Sequence, residues 1–429
     1  MGIKEFLKKI DKHESLTMSF LDRELDVSCV FEPQGIDVFI KIDSPRPFDD
    51  NFIDLCVSTD IIDSTISVSI IKMSMLSYEG KVQEIRVSDK VGNYIDKFNY
   101  LLAGVTSPFI VNDYKWERTY EFDGELIDVN YHFVNFSVTA TLSTKISRNS
   151  NVFSFISEKI TDEIDVLTWC YGFCRSSRSE WYIRREVFND KTFSFHYLSS
   201  NATESYSNRV NPMRQEQEMF KPFIENVIKK GYSKELLTKK GVFQAIRNLE
   251  WNSKSIDDWT LLSHVAALEG FVKSKDVSIL SSSKYRKIRD IMLTALKDNY
   301  SNFNVDIKDI DQISQNIYSN NRTLNGYPTK WYVDKALCDY NLIGFRDLYI
   351  DDINQALSKR NKIAHSGWGQ QWERCVFDHV EVVRNTLYVL LMSFFGYQGD
   401  FYLFGQGKSN LQEFTNNNSE SQSKAPELK

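Results

Sequence analysis

The chain has 429 residues, enough for two or three domains, and its 42% apolar and 26% charged residues mark it as globular rather than disordered. A formal net charge of −6 argues against a surface that coats nucleic acid throughout, but it leaves room for a local basic cleft. No run of 18 apolar residues and no signal-peptide core occurs, so a cytoplasmic protein with no membrane partner is expected.

Residues 1–15 carry Ile3, Phe6, Leu7 and Ile10 at helical spacing. The period then changes to two. Leu25 to Phe31 and Ile36 to Ile42 flank the turn Glu32-Pro33-Gln34-Gly35, and Ser64 to Ile71 sets Ile66, Val68 and Ile70 against Ser and Thr. Asp123-Gly124 is a hairpin signal, because both residues accept the positive φ angles of a primed turn. Tyr131 to Ile146 alternates again, a helical pattern runs from Ser154 to Cys174, and strand-like pieces return at Trp181 to Val187 and Thr192 to Leu198. High aromatic content, 29 Phe and 21 Tyr, suits such a β-rich half. Cys170 and Cys174 lie one helical turn apart in an apolar run and read as core thiols; no second close pair exists to complete a zinc site.

The chain turns polar between Ser199 and Pro212, which sets a domain boundary near residue 208. Beyond it the pattern is helical over 214–230, 233–250, 257–274, 283–300, 307–319, 343–365 and 372–396. Asp257-Asp258 can cap the third of these, whose stripe is Leu261, Leu262, Val265, Leu268 and Phe271. The last is apolar round much of its circumference and is expected to be central. The expected class is therefore α+β: a β-rich sandwich- or barrel-like domain over 1–208, an all-α bundle over 209–404, and a disordered Asn-, Ser- and Gln-rich tail over 405–429.

One segment carries chemistry. Lys359-Arg360-Asn361-Lys362-Ile363-Ala364-His365-Ser366-Gly367 combines a permanent cation, an orienting amide and a side chain that titrates near neutral pH. Cleaving RNA without a metal or other cofactor needs little more: a base for the ribose 2′-OH, an acid for the leaving 5′-oxygen, and a positive charge at phosphorus. On a helix Arg360 and His365 are about 140° apart and about 7.5 Å along the axis, while Asn361 and His365 share a face. Two such helices meeting across a two-fold axis would gather both sets round one phosphate, so a homodimeric site is expected. The competing reading makes Arg360 and Lys362 solvated charges and His365 a cation at the helix C-terminus. The protein would then be a non-catalytic dimeric regulator that binds RNA or protein.

Arg360-Asn361-Lys362-Ile363-Ala364-His365, late in an all-α half and followed by a long apolar helix, resembles the motif of HEPN-domain ribonucleases. The segment Leu261 to Phe271, with Glu269, is similar to the Glu-bearing helix that precedes the motif in the ApeA-like branch, and the likeness spans roughly residues 210–400. The resemblance implies a metal-independent endoribonuclease of anti-phage defence by abortive infection, acting as a homodimer on RNA and leaving a 2′,3′-cyclic phosphate. It implies His365 as general acid or base, Arg360 as stabiliser of the phosphorane and Asn361 as orienter. Lys359 and Lys362 would hold RNA, and the β-rich domain would sense a phage protein. Glu269 either supports the site or pairs with a surface Lys.

Rival constellations fail on their residues. Members of that family silenced by a nucleotidyltransferase carry Tyr two residues after the His, where this chain has Gly367. Gly407-Lys408-Ser409 imitates the end of a P-loop without its earlier glycine. Lys284 to Arg289 and Arg184-Arg185 can line an RNA path with Tyr285 as a stacking face, or can be solvated faces and salt-bridge partners. His264, on an apolar stripe, reads as a satisfied core residue.

Overall fold

The computed structural model describes residues 16–20, 23–34, 37–43, 52–58, 62–74, 77–89, 93–105, 111–176, 178–198, 212–213, 216–251, 257–273, 279–299, 307–319, 327–366 and 375–415. The amphipathic pattern over 1–15 lies outside them. The class is α+β, with a sheet domain followed by helices, as the sequence leads one to expect. Two compact units divide the chain: Met1–Leu237 with Leu249–Ser253 and Gly399–Lys408, and Thr238–Asn248 with Lys254–Gln398 and Ser409–Lys429.

In the first unit, strands β1 (Leu16–Phe20), β2 (Arg23–Gln34), β3 (Asp37–Asp43), β4 (Phe52–Ser58), β5 (Ile62–Ser74) and β6 (Ser77–Asp89) pair antiparallel in the order β3-β2-β1-β4-β5-β6. Pairing of β3 with β6, from Phe39 opposite Lys81 to Asp43 opposite Ser77, closes these six into a ring. Closure leaves fewer open edges and turns alternate side chains inward, which is why Val38, Ile40, Ile66, Val68, Val82 and Ile85 are buried. Gly80 sits where β6 pairs with both β3 and β5, and a Cβ there would collide with the Val68 side chain.

The sheet continues from β6 through β12 (Lys191–Leu198), β11 (Glu180–Phe188), β7 (Tyr94–Ala103), β10 (Ser137–Ser147), β9 (Glu125–Val134) and β8 (Asp113–Phe122). The Asp-Gly hairpin forms as its residues require, with Asp123 at φ 50° and Gly124 at φ 82°. The alternation read across 131–146 is in fact two strands, broken at Asn135 (φ 55°), which leaves Phe136 exposed. Helix α1 (Asn151–Arg175), capped by the Ser150 hydroxyl, packs on this half and buries Cys170 and Cys174 as free thiols. Its Glu163 accepts a 3.0 Å bond from the indole of Trp116, which is stacked on Tyr131.

Helix α2 (Gln217–Lys230) belongs with this unit, because Phe220 and Phe223 meet Tyr171 and Phe173 of α1. The first compact unit thus runs on through Leu237.

Helices α3 (Lys234–Lys239) and α4 (Val242–Trp251) replace the single helix expected over 233–250. Gly241 (φ 69°) breaks it, and a Cβ there would sit 2.6 Å from the Gly270 carbonyl oxygen, so a bare backbone makes this contact. With most of α4, the second unit contains α5 (Asp258–Val272), α6 (Ser282–Asn299), α7 (Ile307–Ser319), α8 (Thr329–Asp339), α9 (Ile343–Ser366) and α10 (Cys375–Phe394). Asp257 caps α5, accepting from the Thr260 amide at 2.7 Å. Helix α10 is central: Leu387 and the run Val389 to Met392 are fully buried, each side chain stabilising by about 1.5–3 kcal/mol.

Part of the expected disordered tail is ordered. Strands β13 (Asp400–Tyr402) and β14 (Lys408–Asn410) pair, and a short 3-10 turn, Leu411–Phe414, follows. Leu411 and Phe414 are spaced to bury together, and Phe414 lies edge-on to Phe345 at 5.3 Å. Residues 416–429 are outside the described set. Phe414→Ala is expected to lower the stability of the helical unit by about 3 kcal/mol in urea denaturation, whereas an unanchored tail would give no change.

Candidate functional site

The site is built on α9. Its buried positions, Phe345, Ile353, Ala356 and Leu357, follow one another at helical spacing, and Arg360 comes next on that stripe. A guanidinium at the end of an apolar stripe needs an acceptor from a packed neighbour. Glu269 of α5 provides it: Arg360 Nη2 donates to Glu269 Oε2 at 3.2 Å, and the two side chains retain 28% and 22% exposure. Arg360 Nη1 also donates to Asn361 Oδ1 at 3.0 Å. These bonds use two of the five N–H groups of the guanidinium and fix its plane.

The same carboxylate reaches two further groups. Thr329, the first residue of α8, donates its hydroxyl to Glu269 Oε1 at 2.7 Å, and Lys273 Nζ stands 3.7 Å from that oxygen. Arg346 of α9 pairs with Asp334 of α8 at 2.5 Å. One acidic side chain thus links α5, α8 and α9 round the Arg360 guanidinium. Glu269 thus contacts both the Arg360 guanidinium and a Lys at the end of its own helix.

Asn361 and Lys362 are exposed and Lys359 is half-buried. Position 365 lies in the last turn of α9, four residues after Asn361 and so on the same backbone face; the placement of the His365 side chain lies outside the described residues. The structure therefore brings Arg360 and Asn361 together and adds Glu269 and Thr329. Among the described residues no group of three or more His, Cys, Asp or Glu side chains is placed to hold a metal ion.

Thr329 and its helix were not anticipated. Tyr332, Val333, Ala336 and Leu337 do stand at helical spacing behind Pro328, and all four are buried. The pattern spans only 11 residues, too short to stand out between two polar segments.

The other candidates resolve plainly. Tyr285 is buried and offers no stacking face, and Arg289 pairs with Asp290. Arg184 is bonded to Glu186 and Ser157 and lies over the Phe98 ring, so it serves its own sheet. Lys408 pairs with Asp400 within the β13–β14 hairpin. His264 is fully buried: Nδ1 is 2.6 Å from the Thr260 carbonyl, and Nε2 accepts from Arg384 Nε at 3.2 Å. An imidazole that accepts there is neutral, and burial, reinforced by the Arg384 charge, pushes its pKa down to about 3.

Compared with known proteins, the chain matches no family model, no curated protein and no solved structure. Among the described residues no helix is long and apolar enough to cross a membrane.

The depressed His264 pKa has a sign that can be measured. Above the ordinary imidazole value of about 6.5 the residue is neutral in both folded and unfolded chains and adds no pH dependence. Between about 6.5 and about 3 the unfolded chain takes up a proton that the folded one refuses, so stability is lost as the pH is lowered, by at most about 1.4 kcal/mol per unit from this group. His264→Gln is expected to flatten that limb when urea stabilities at successive pH values are compared with wild type; parallel curves would show that the imidazole is not held neutral.

Proposed function

We propose that the chain is a metal-independent endoribonuclease of the HEPN type acting in anti-phage defence, with Arg360 and His365 as its catalytic pair. The observation that supports this best is the held guanidinium. Glu269 and Asn361 orient Arg360 in advance, half-exposed, with N–H groups left to meet a phosphate. A guanidinium organised before substrate arrives spends no free energy on reorganisation when charge builds on phosphorus. His365 takes the 2′-OH proton or gives one to the 5′-oxygen; the 2′-oxygen attacks phosphorus, the 5′-oxygen leaves protonated, and a 2′,3′-cyclic phosphate remains. Lys359 and Lys362 hold flanking phosphates. A second copy related by a two-fold axis supplies the other Arg–His set, since one helix turns the two residues about 140° apart. A phage protein acting on the sheet domain releases the activity.

A second reading has its own observation. Because Glu269 already neutralises Arg360, the same contacts describe a structural clasp of three helices in a non-catalytic dimeric regulator that binds RNA or protein. An exposed or half-exposed ion pair is worth about 1 kcal/mol or less, however, which is little reward if stability is its sole purpose.

The full chain incubated with total RNA in EDTA, with and without phage challenge, separates the two. Cleavage to cyclic-phosphate ends is expected for wild type and should fall at least about 100-fold in both His365→Ala and Arg360→Ala. Glu269→Gln, which keeps the shape but weakens the hold on Arg360, should lose about ten-fold in rate while its thermal midpoint falls by no more than about 4 °C. Equal cleavage by wild type and His365→Ala, or none by wild type in either condition, overturns the proposal.

A further inference from the structure

Beside the Arg360 cluster lies an aromatic pair that the proposed chemistry does not use. Tyr327 and Trp331 stack with ring centroids 3.9 Å apart and planes 14° from parallel. Tyr332, edge-on to both, is buried and holds the pair from the side, whereas Tyr327 and Trp331 are only half-buried. Two flat rings kept parallel and partly open to water are unusual at the start of a helix, because an aromatic face left in solvent forgoes its burial. Their position matters more. Thr329 lies between them in the chain, and its hydroxyl donates at 2.7 Å to the same Glu269 carboxylate that holds Arg360. The rings and the guanidinium are thus tied to one side chain. Lys330, next to Trp331 in the chain, is exposed, and Lys273 Nζ lies 5.8 Å from the Tyr332 ring that flanks the pair.

From this placement we propose that Tyr327 and Trp331 form a stacking platform for an unpaired nucleobase of single-stranded RNA next to the phosphate engaged by Arg360. Flat faces bind bases of any sequence, and nearby ammonium groups attract the backbone, the combination by which proteins hold single strands. Stacking one base would also set the register of the strand against the guanidinium. The proposal rests on the RNA-cleaving reading for its strand but is tested by binding alone.

The probe is a short 2′-O-methyl oligoadenylate, which cannot be cut, against an abasic strand of equal length, each titrated into the full chain in EDTA and followed by fluorescence anisotropy. Wild type is expected to prefer the oligoadenylate by about ten-fold, the usual scale of one base–aromatic stack. Tyr327→Ala and Trp331→Ala should each erase the preference, while Trp331→Phe, which keeps a flat ring, should retain most of it and serves as the folding control. Equal affinity of wild type for the two strands, a preference that survives both alanine variants, or no binding at all overturns the platform. In parallel, unmodified RNA is offered in EDTA. Base-dependent binding without cleavage, with and without phage challenge alike, removes the ribonuclease reading and leaves the platform; cleavage without base preference does the reverse.

Discussion

A single carboxylate organises the candidate site. Glu269 accepts from Arg360 and Thr329 and stands beside Lys273, so three helices are registered at one point by polar contacts. Apolar packing alone would not set that register so closely, because Leu, Val and Ala stripes tolerate small slides and rotations. Directional bonds to a planar guanidinium tolerate far less, since they weaken steeply as their angles open. Whatever α9 does with its exposed end, it does from a position that α5 sets.

The scaffold behind this point is built to be stiff. Helix α10 is buried along several successive turns, and α5 lies against it through His264 and Arg384, a neutral acceptor facing a buried cation. Gly241 admits the backbone of Gly270 at a distance no side chain would permit, which seats the residue next to Glu269. The ordered turn at Leu411–Phe414 closes over Phe345 at the other end of α9. The long motif helix is therefore held at its start by aromatic packing and near its end by an ion pair. Beyond that ion pair, Asn361 and Lys362 are exposed.

The sheet unit follows a different logic. Strands β1 to β6 close on themselves, while β7 to β12 stay open and take α1 as their cover. Several of its polar side chains pair with one another, as in Arg184 with Glu186 and His196 with Glu84. Basic residues that look available in a list of sequence motifs are thereby committed to internal partners. This is the common fate of charges on strands whose neighbours offer carboxylates directly opposite or two residues along.

Much of the fold was legible in the chain because it depends on local periodicity. Alternation over Ser64 to Ile71, the Asp123-Gly124 turn, the Asp257 cap and the apolar circumference of α10 are all properties of short windows, and each appears where its pattern lies. The sequence by itself also put Arg360, Asn361 and His365 on one helix, since five residues span little more than a turn. It could not place Glu269 against Arg360 and Thr329, 91 and 60 positions away, nor anchor Phe414 on Phe345. Those contacts join segments distant along the chain, and only the packing of complete helices decides which faces meet.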